Sequence, residues 1–141
     1  MEHLSMPADF SESMLRTASL SAKAALATAY EAWQDAGLSG VAPERIGLWV
    51  GGSNLQQREL VQTQRQYVDR FQFLRPTYAM SFLDSDICGL CTEAFHIRGF
   101  AHTVGGASAS GQVAIIQALE AVQSGQVDVC IALGGLMDLS F

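Results

Sequence analysis

The sequence predicts an α/β domain, and three observations lead to that class. Two runs, IGLWV at 46–50 and VDVCIAL at 127–133, are too uniformly apolar for half-exposed strands and read as interior strands of a parallel sheet. An Ala-rich stretch with helical spacing precedes the first run. A second helical stretch joins a short strand at 100–104 to the last run, and strand, helix and strand within about 35 residues make a βαβ unit with parallel strands and a right-handed crossover.

Residues 1–18 are polar, with Pro7 and scattered serines, and read as a lead-in or lid before a domain spanning 19–141. From Ser19 to Ala36, SLSAKAALATAYEAWQDA sets Ala22, Ala25, Leu26, Ala29 and Trp33 on one helical stripe, with Gly37 as the C-cap. Pro43, Glu44 and Arg45 lead into the first strand, which stops at Gly51-Gly52. The stretch 55–73 is polar on most sides and predicts a surface helix or two short ones, broken by Pro76. Asp84 or Ser85 is placed to cap a helix through ICGLCTEAF that Gly99 ends, and the strand Phe100–Val104 follows.

After Gly105-Gly106 the chain enters ASASGQVAIIQALEAVQSG. Val113, Ile115, Ile116, Leu119 and Val122 leave only Gln112, Gln117, Glu120 and Gln123 as a polar margin, so this helix is expected to be mostly buried before Gly125 closes it.

The chain has 141 residues, 49% of them hydrophobic and 16% charged, which fits one domain and excludes a disordered polyanion. Its net charge of -6 and the lack of a basic cluster argue against a nucleic-acid partner. MEHLSMPADF has no basic segment followed by an apolar core, and no uncharged apolar run approaches the ~20 residues that cross a bilayer. The expectation is a cytoplasmic chain without a membrane partner. Three cysteines, Cys88, Cys91 and Cys130, fit free thiols in a reducing compartment.

Chemistry concentrates in HTVGGASASG, residues His102–Gly111, between a strand and the first turn of a helix. There, unpaired N–H groups and the helix dipole favour an anion or a developing oxyanion beside Ser108 or Ser110. Either serine can equally be the N-cap of a structural helix. The motif matches neither GxSxG nor a phosphate loop. His102 has no acid partner in view and reads as structural or exposed, while His3 and His96 have no evident role. The CGLC pair at Cys88 and Cys91 reads as packing thiols, because no further ligands stand at zinc spacing and no strand opens into it as in a redox motif. Asp84 and Asp86 lie two apart, which does not make them face one another on a helix, so they read as capping charges and not as an acid/base pair.

HTVGGASASGQVAIIQALEAVQSGQVDVCIALGG resembles the nucleophile helix and following strand of the β-ketoacyl synthase family, condensing enzymes of the thiolase fold. AYEAWQDAGLSGVAPERIGLWVGGS resembles that family's Ala-rich helix and the strand after it. Together they cover roughly residues 20–135, most weakly at 55–82. The resemblance implies an incomplete thiolase-like fold, part of the N-terminal βαβ half of a ketosynthase. It places Ala107-Ser108-Ala109-Ser110-Gly111 on the family's Ala-Cys-x-Ser-Gly pattern, so that Ser108 occupies the position of the acyl-accepting cysteine. A thiol with a pKa of about 8.5 becomes a thiolate far more readily than an alcohol does. Family members without the cysteine act as malonyl-carrier-protein decarboxylases, including stand-alone members of polyketide β-branching cassettes, or as noncatalytic partners.

The resemblance further implies an acyl carrier protein partner bearing phosphopantetheine, no dissociable cofactor or metal of the chain's own, and a homodimer as one possible assembly. The family's two catalytic histidines and lysine belong to a C-terminal half, and none of His3, His96 and His102 matches them. A fragment, a split subunit completed by a second chain, and a noncatalytic product all remain open. The family's first central strand is also missing from the beginning of the chain, which predicts a gap in the sheet between the strands at 46–50 and 127–133.

Overall fold

The computed structural model describes residues 6–38, 40–81 and 83–137. At the centre of its sheet lies β1 (Ile46–Gly51), flanked by β2 (Phe100–Val104) and β3 (Val129–Gly134) in the order β2-β1-β3. Both pairings are parallel, running from Gly47↔Phe100 to Gly51↔Val104 on one side and from Ile46↔Val129 to Gly51↔Gly134 on the other. The expected gap is therefore absent: β1 and β3 bond directly over six positions, with no place between them for another strand. The βαβ unit stands, but its two strands sit on either side of β1 and do not pair with each other.

Alternation along β1 sorts the two layers of helices. Ile46, Leu48 and Val50 are buried on the face covered by α2 (Leu20–Ala36) and α5 (Ser85–Ala94). There they join Ala22, Ala25, Leu26, Ala29, Ile87, Cys88 and Cys91 in the core. The side chain of Ser19 accepts from Ala22 N to start α2, and Gly37 ends it in the left-handed conformation predicted for its C-cap. The polar lead-in contributes α1 (Glu12–Thr17) and, just before it, Phe10, which packs edge-on against Tyr30 and Phe95 in the core. Residues 55–73 form α3 (Gln57–Tyr67) followed by a short 3-10 turn at Phe71–Phe73, and α4 (Tyr78–Ser81) comes after Pro76.

The other face of the sheet carries α6 (Ser110–Gln123), where the expectation of a mostly buried helix fails. Only Ser110, Ala114, Ala118 and Ala121 are buried, while Ile115, Ile116, Leu119 and Val122 are 40–62% exposed. The apolar residues outnumber those one contact face can hold. The sheet takes the small stripe, because small side chains let the helix backbone come close, and the bulky ones fall on the outer flank.

Two end signals also differ from expectation. Asp84 makes no capping bond to α5; its carboxylate accepts instead from Asn54 N at 2.8 Å and Leu55 N at 2.7 Å, tying down the loop that leaves β1. The helix α5 stops at Ala94, short of Gly99, which lies against the Ile46 carbonyl in a space no side chain would fit. At this same end of the sheet, where β1 begins, Arg45 donates to the Gln126 and Gly125 carbonyls and to the Asp128 carboxylate, fastening the α6–β3 turn to the start of β1. That hydrogen bond holds the Asp128 carboxyl below its ordinary range.

The cysteines behave as packing groups. Burial pushes the Cys91 thiol up to about 12 and that of Cys130 to about 11. Burial also raises Cys88, an effect partly offset by the Thr103 hydroxyl 3.3 Å away. Among the described residues no cluster of three or more His, Cys, Asp or Glu could hold a metal ion, and no helix is long and apolar enough to cross a membrane.

Two outcomes follow from this packing. Leu55 fills the space a side chain on Gly135 would need, whereas Gly134 faces open space. In urea unfolding, Gly135→Ala should cost about 1–3 kcal/mol from overpacking, and Gly134→Ala should stay within about 0.5 kcal/mol of the parent. Because the Cys91 thiol is raised, its contribution to stability is complete below the unfolded-state value. That contribution falls as pH rises through the window that ends near 12, which alkaline unfolding of Cys91→Ala beside the parent would reveal as a shallower pH dependence in the variant.

Candidate functional site

The C-terminal ends of all three strands meet the start of α6. Gly135 N donates to Gly51 O at 2.8 Å and Gly52 N donates to Val104 O at 2.9 Å, so the loops leaving the strands are latched to one another. A side chain at Gly51 would collide with the Ser110 carbonyl; its absence lets the first turn of α6 rest directly on the end of β1. Gly52 and Gly135 both make room for Leu55. The glycine pairs that end the strands thus serve close packing, and this brings three backbone turns and one helix start to a single edge, where open α/β sheets hold ligands.

Within that edge the two candidate serines separate. Ser110 is 6% exposed, and its hydroxyl accepts from Gly106 N at 2.9 Å while donating to Ala107 O at 2.7 Å. Its one donor and one of its acceptor lone pairs hold the turn closed. Ser108 lies in the short 3-10 turn Ala107–Ala109 just before α6; it is exposed, and its hydroxyl makes no hydrogen bond among the described residues. Ala107 adopts φ +48, a left-handed conformation that costs an L-residue about 1–2 kcal/mol. This strain sits where the chain reverses from β2 into α6 and presents Ser108 outward. Ala109, at the N-cap of α6, offers no side-chain bond to the first-turn N–H groups, so the positive end of a 14-residue helix opens beside Ser108.

The histidines do not complete a nucleophile. His102 is exposed on β2, stacked on Phe100 at a ring separation of 5.5 Å and tilted by 42° against Trp49 at 4.9 Å. His96 is exposed with φ +53 at the end of α5, and His3 lies outside the described residues.

Asp84 and Asp86 diverge. Asp84 grips the β1 loop, while Asp86, its carboxyl raised by burial, lines a separate open cleft of about 620 Å3 with Arg16, Tyr67, Arg75 and Tyr78. Sequence reasoning passed over Gln56, a polar residue in a polar stretch that proves to be 2% exposed. The signal that could have marked it is its position directly after Leu55, the apolar anchor of the loop.

Residues 6–140 match the β-ketoacyl synthase N-terminal domain. The chain is 57% identical over 98% of its length to the polyketide biosynthesis malonyl-ACP decarboxylase PksF of Bacillus subtilis, covering 33% of that protein. It is 28% identical over 78% of its length to a 3-oxoacyl-[acyl-carrier-protein] synthase homolog of Saccharomyces cerevisiae, covering 27% of it. The chain thus spans a third or less of these relatives' own length.

Among solved structures, it superposes with a TM-score of 0.75 at 16% identity on a chain from a type II PKS ketosynthase in complex with its acyl-carrier protein, over 89% of this chain and 36% of that one. A β-ketoacyl synthase from Burkholderia phymatum STM815 gives a TM-score of 0.69 at 20% identity, over 89% and 32%. At these identities the superpositions speak for the fold, which is that of the N-terminal half of a ketosynthase. Sequence and architecture agree: the chain belongs to the β-ketoacyl synthase family, whose N-terminal, thiolase-like α/β domain it carries.

Proposed function

We propose that this chain forms part of a cytoplasmic ketosynthase-family enzyme that decarboxylates a malonyl group carried on acyl carrier protein and performs no condensation. The observation that carries the reading is the state of Ser108. The hydroxyl is exposed at the start of α6, which has no side-chain cap, with no base bonded to it among the described residues, and the sequence resemblance assigns this position to the family's acyl-accepting cysteine. An alcohol in that setting keeps its proton and is a poor acceptor for an acyl thioester. The 57% identical relative named a malonyl-ACP decarboxylase supports the same reaction.

Decarboxylation needs no covalent step at residue 108. The bond between the malonyl α-carbon and its carboxylate breaks, carbon dioxide leaves, and the electron pair passes into an enolate of the thioester. Protonation at carbon then gives the acetyl thioester. What the protein must supply is stabilisation of the enolate oxygen, and the positive end of the α6 dipole beside Ser108 is suited to that task, the N–H groups of Ala109 and Ser110 themselves being given to the Gly106 and Ala107 carbonyls. The Ser108 hydroxyl can donate to the same oxygen.

In this reading residues 19–141 form the body of the domain and 1–18 its lead-in. The outer flank of α6, Ile115, Ile116, Leu119 and Val122, is covered by the C-terminal half or by a second chain, which also brings the remaining catalytic groups; the assembly can be a homodimer. That same apolar flank, together with the lack of a base at Ser108, favours a second reading, a noncatalytic partner subunit that binds a catalytic homologue.

The complete assembly given malonyl carrier protein should release carbon dioxide and leave acetyl carrier protein. Ser108→Cys should gain acyl loading, visible as a mass increment on residue 108. Absence of carbon dioxide release, or efficient transfer of an acyl primer to the unmodified Ser108, would reject the decarboxylase. Ser110→Ala removes both bonds that close the β2–α6 turn and should cost about 1–3 kcal/mol in thermal or denaturant unfolding, a loss that an unchanged midpoint would contradict.

A further inference from the structure

A second cleft stands apart from the strand ends. It has a volume of about 620 Å3, and its walls come from α1, α3 and α5 and from residues 74–80. None of its lining residues belongs to the loops leaving the strands or to the start of α6. Pockets of this size hold small organic ligands. The charged residues that line it, among those described, are Arg16, Arg75 and Asp86, and they differ in depth. Arg16 and Arg75 are exposed, whereas Asp86 is half-buried in the first turn of α5. None of the three has a side-chain hydrogen bond or an ion pair among the described residues.

Each of these groups lacks something that a ligand can give. Burial raises the Asp86 carboxyl, and no guanidinium offsets that rise. A carboxylate partly withdrawn from water gains most from an opposite charge brought to it. The dipole of the ten-residue α5 favours its charge but leaves its oxygens unbonded. The two guanidiniums present planar donor forks that suit a carboxylate.

The order of these charges selects the ligand. A simple anion satisfies the rim and is repelled deeper in by Asp86. A simple cation reaches Asp86 only after passing Arg16 and Arg75, and a metal ion would find one carboxylate where it needs several ligands. A molecule carrying both charges meets both demands. Because neither guanidinium registers on Asp86, the two charges must stand well apart, which disfavours an α-amino acid and calls for an apolar stem between them. Leu74, Leu90 and Tyr67, all half-buried in the cleft, supply the surface for that stem.

We infer that this cleft binds an elongated zwitterion, an ω-amino carboxylate whose ammonium pairs with Asp86 and whose carboxylate is held by Arg16 and Arg75. No group of the cleft takes part in the chemistry proposed at Ser108, so this site does not depend on that reaction. Binding has a mechanical consequence as well. The helix α1 buries none of its own residues, and a ligand gripped at once by Arg16 of α1 and Asp86 of α5 ties the lead-in to the body of the domain.

The test is a calorimetric titration of the complete assembly with unbranched ω-amino acids from γ-aminobutyrate to ω-aminocaprylate. At least one length should bind saturably, about tenfold more tightly than the alkyl carboxylate or the alkylamine of the same length. In the unmutated protein that ligand should shift the Nε–Hε resonances of Arg16 and Arg75 and slow amide exchange along α1. Asp86→Asn, which keeps the shape and removes the charge, and Arg75→Gln on the exposed rim should each weaken binding about tenfold.

The inference is overturned by equal binding of the zwitterion and either single-charge control, by equal affinity in the parent and Asp86→Asn, or by unmoved arginine resonances and unchanged α1 exchange. Absence of saturable binding at every length also overturns it, including through a cleft covered in the complete assembly. The resonance and exchange readouts come from the unmutated protein and need neither variant to fold.

Discussion

The contact between the end of β1 and the start of α6 governs the placement of every group at the C-terminal edge of the sheet. It exists because Gly51 has no side chain to hold the Ser110 carbonyl away. With the helix resting on the strand, its positive end emerges at the sheet edge, and the turn that links it to β2 has only Gly105, Gly106 and the 3-10 turn in which to reverse direction. The left-handed Ala107 and the doubly bonded Ser110 hydroxyl are consequences of that confinement. Strain in the backbone and hydrogen bonding by Ser110 are two parts of one device, which leaves Ser108 as the residue facing outward.

A second set of contacts works in parallel. Leu55 wedges between Gly52 and Gly135, Asp84 holds the backbone on one side of it, and the latches between Gly51 and Gly135 and between Gly52 and Val104 close the loops over the strand ends. Neutral and apolar contacts dominate this region, with one carboxylate satisfied by main-chain donors. Arg45, at the far end of the sheet, performs the corresponding task for the α6–β3 turn by bonding two carbonyls and Asp128. The sheet is thus clamped at both ends by groups that reach across long sequence separations.

That long reach explains what could and could not be read from the chain. Periodicity is local, and it located α2 with its cap at Gly37, the interior strand β1, the strand at 100–104 and the helix after Gly106. Side-chain competition for one face is not local. The bulky residues of α6 looked like its core stripe, yet the sheet accepted Ala114, Ala118 and Ala121. Pairing across the sheet is also nonlocal, so the direct bonding of β1 to β3 contradicted a gap inferred by analogy. At the site, spacing brought Ser108 and Ser110 forward together and could not divide their roles, because the division depends on which hydroxyl points into the turn. Asp84 looked like a cap because the N–H groups it accepts from lie 29 and 30 residues earlier, and Gln56 was hidden by the polarity of its own neighbourhood.

The outward hydroxyl at position 108 has an implication for how such a scaffold diversifies. Architecture in the turn is secured by Ser110, Gly106 and Ala107, none of which relies on the side chain two residues before the helix. Under the proposed function, a locus relieved of structural duty can exchange sulfur for oxygen through a single codon while the folding equilibrium stays where it was. Reaction type and foldability would then be assigned to adjacent but separate residues of one backbone.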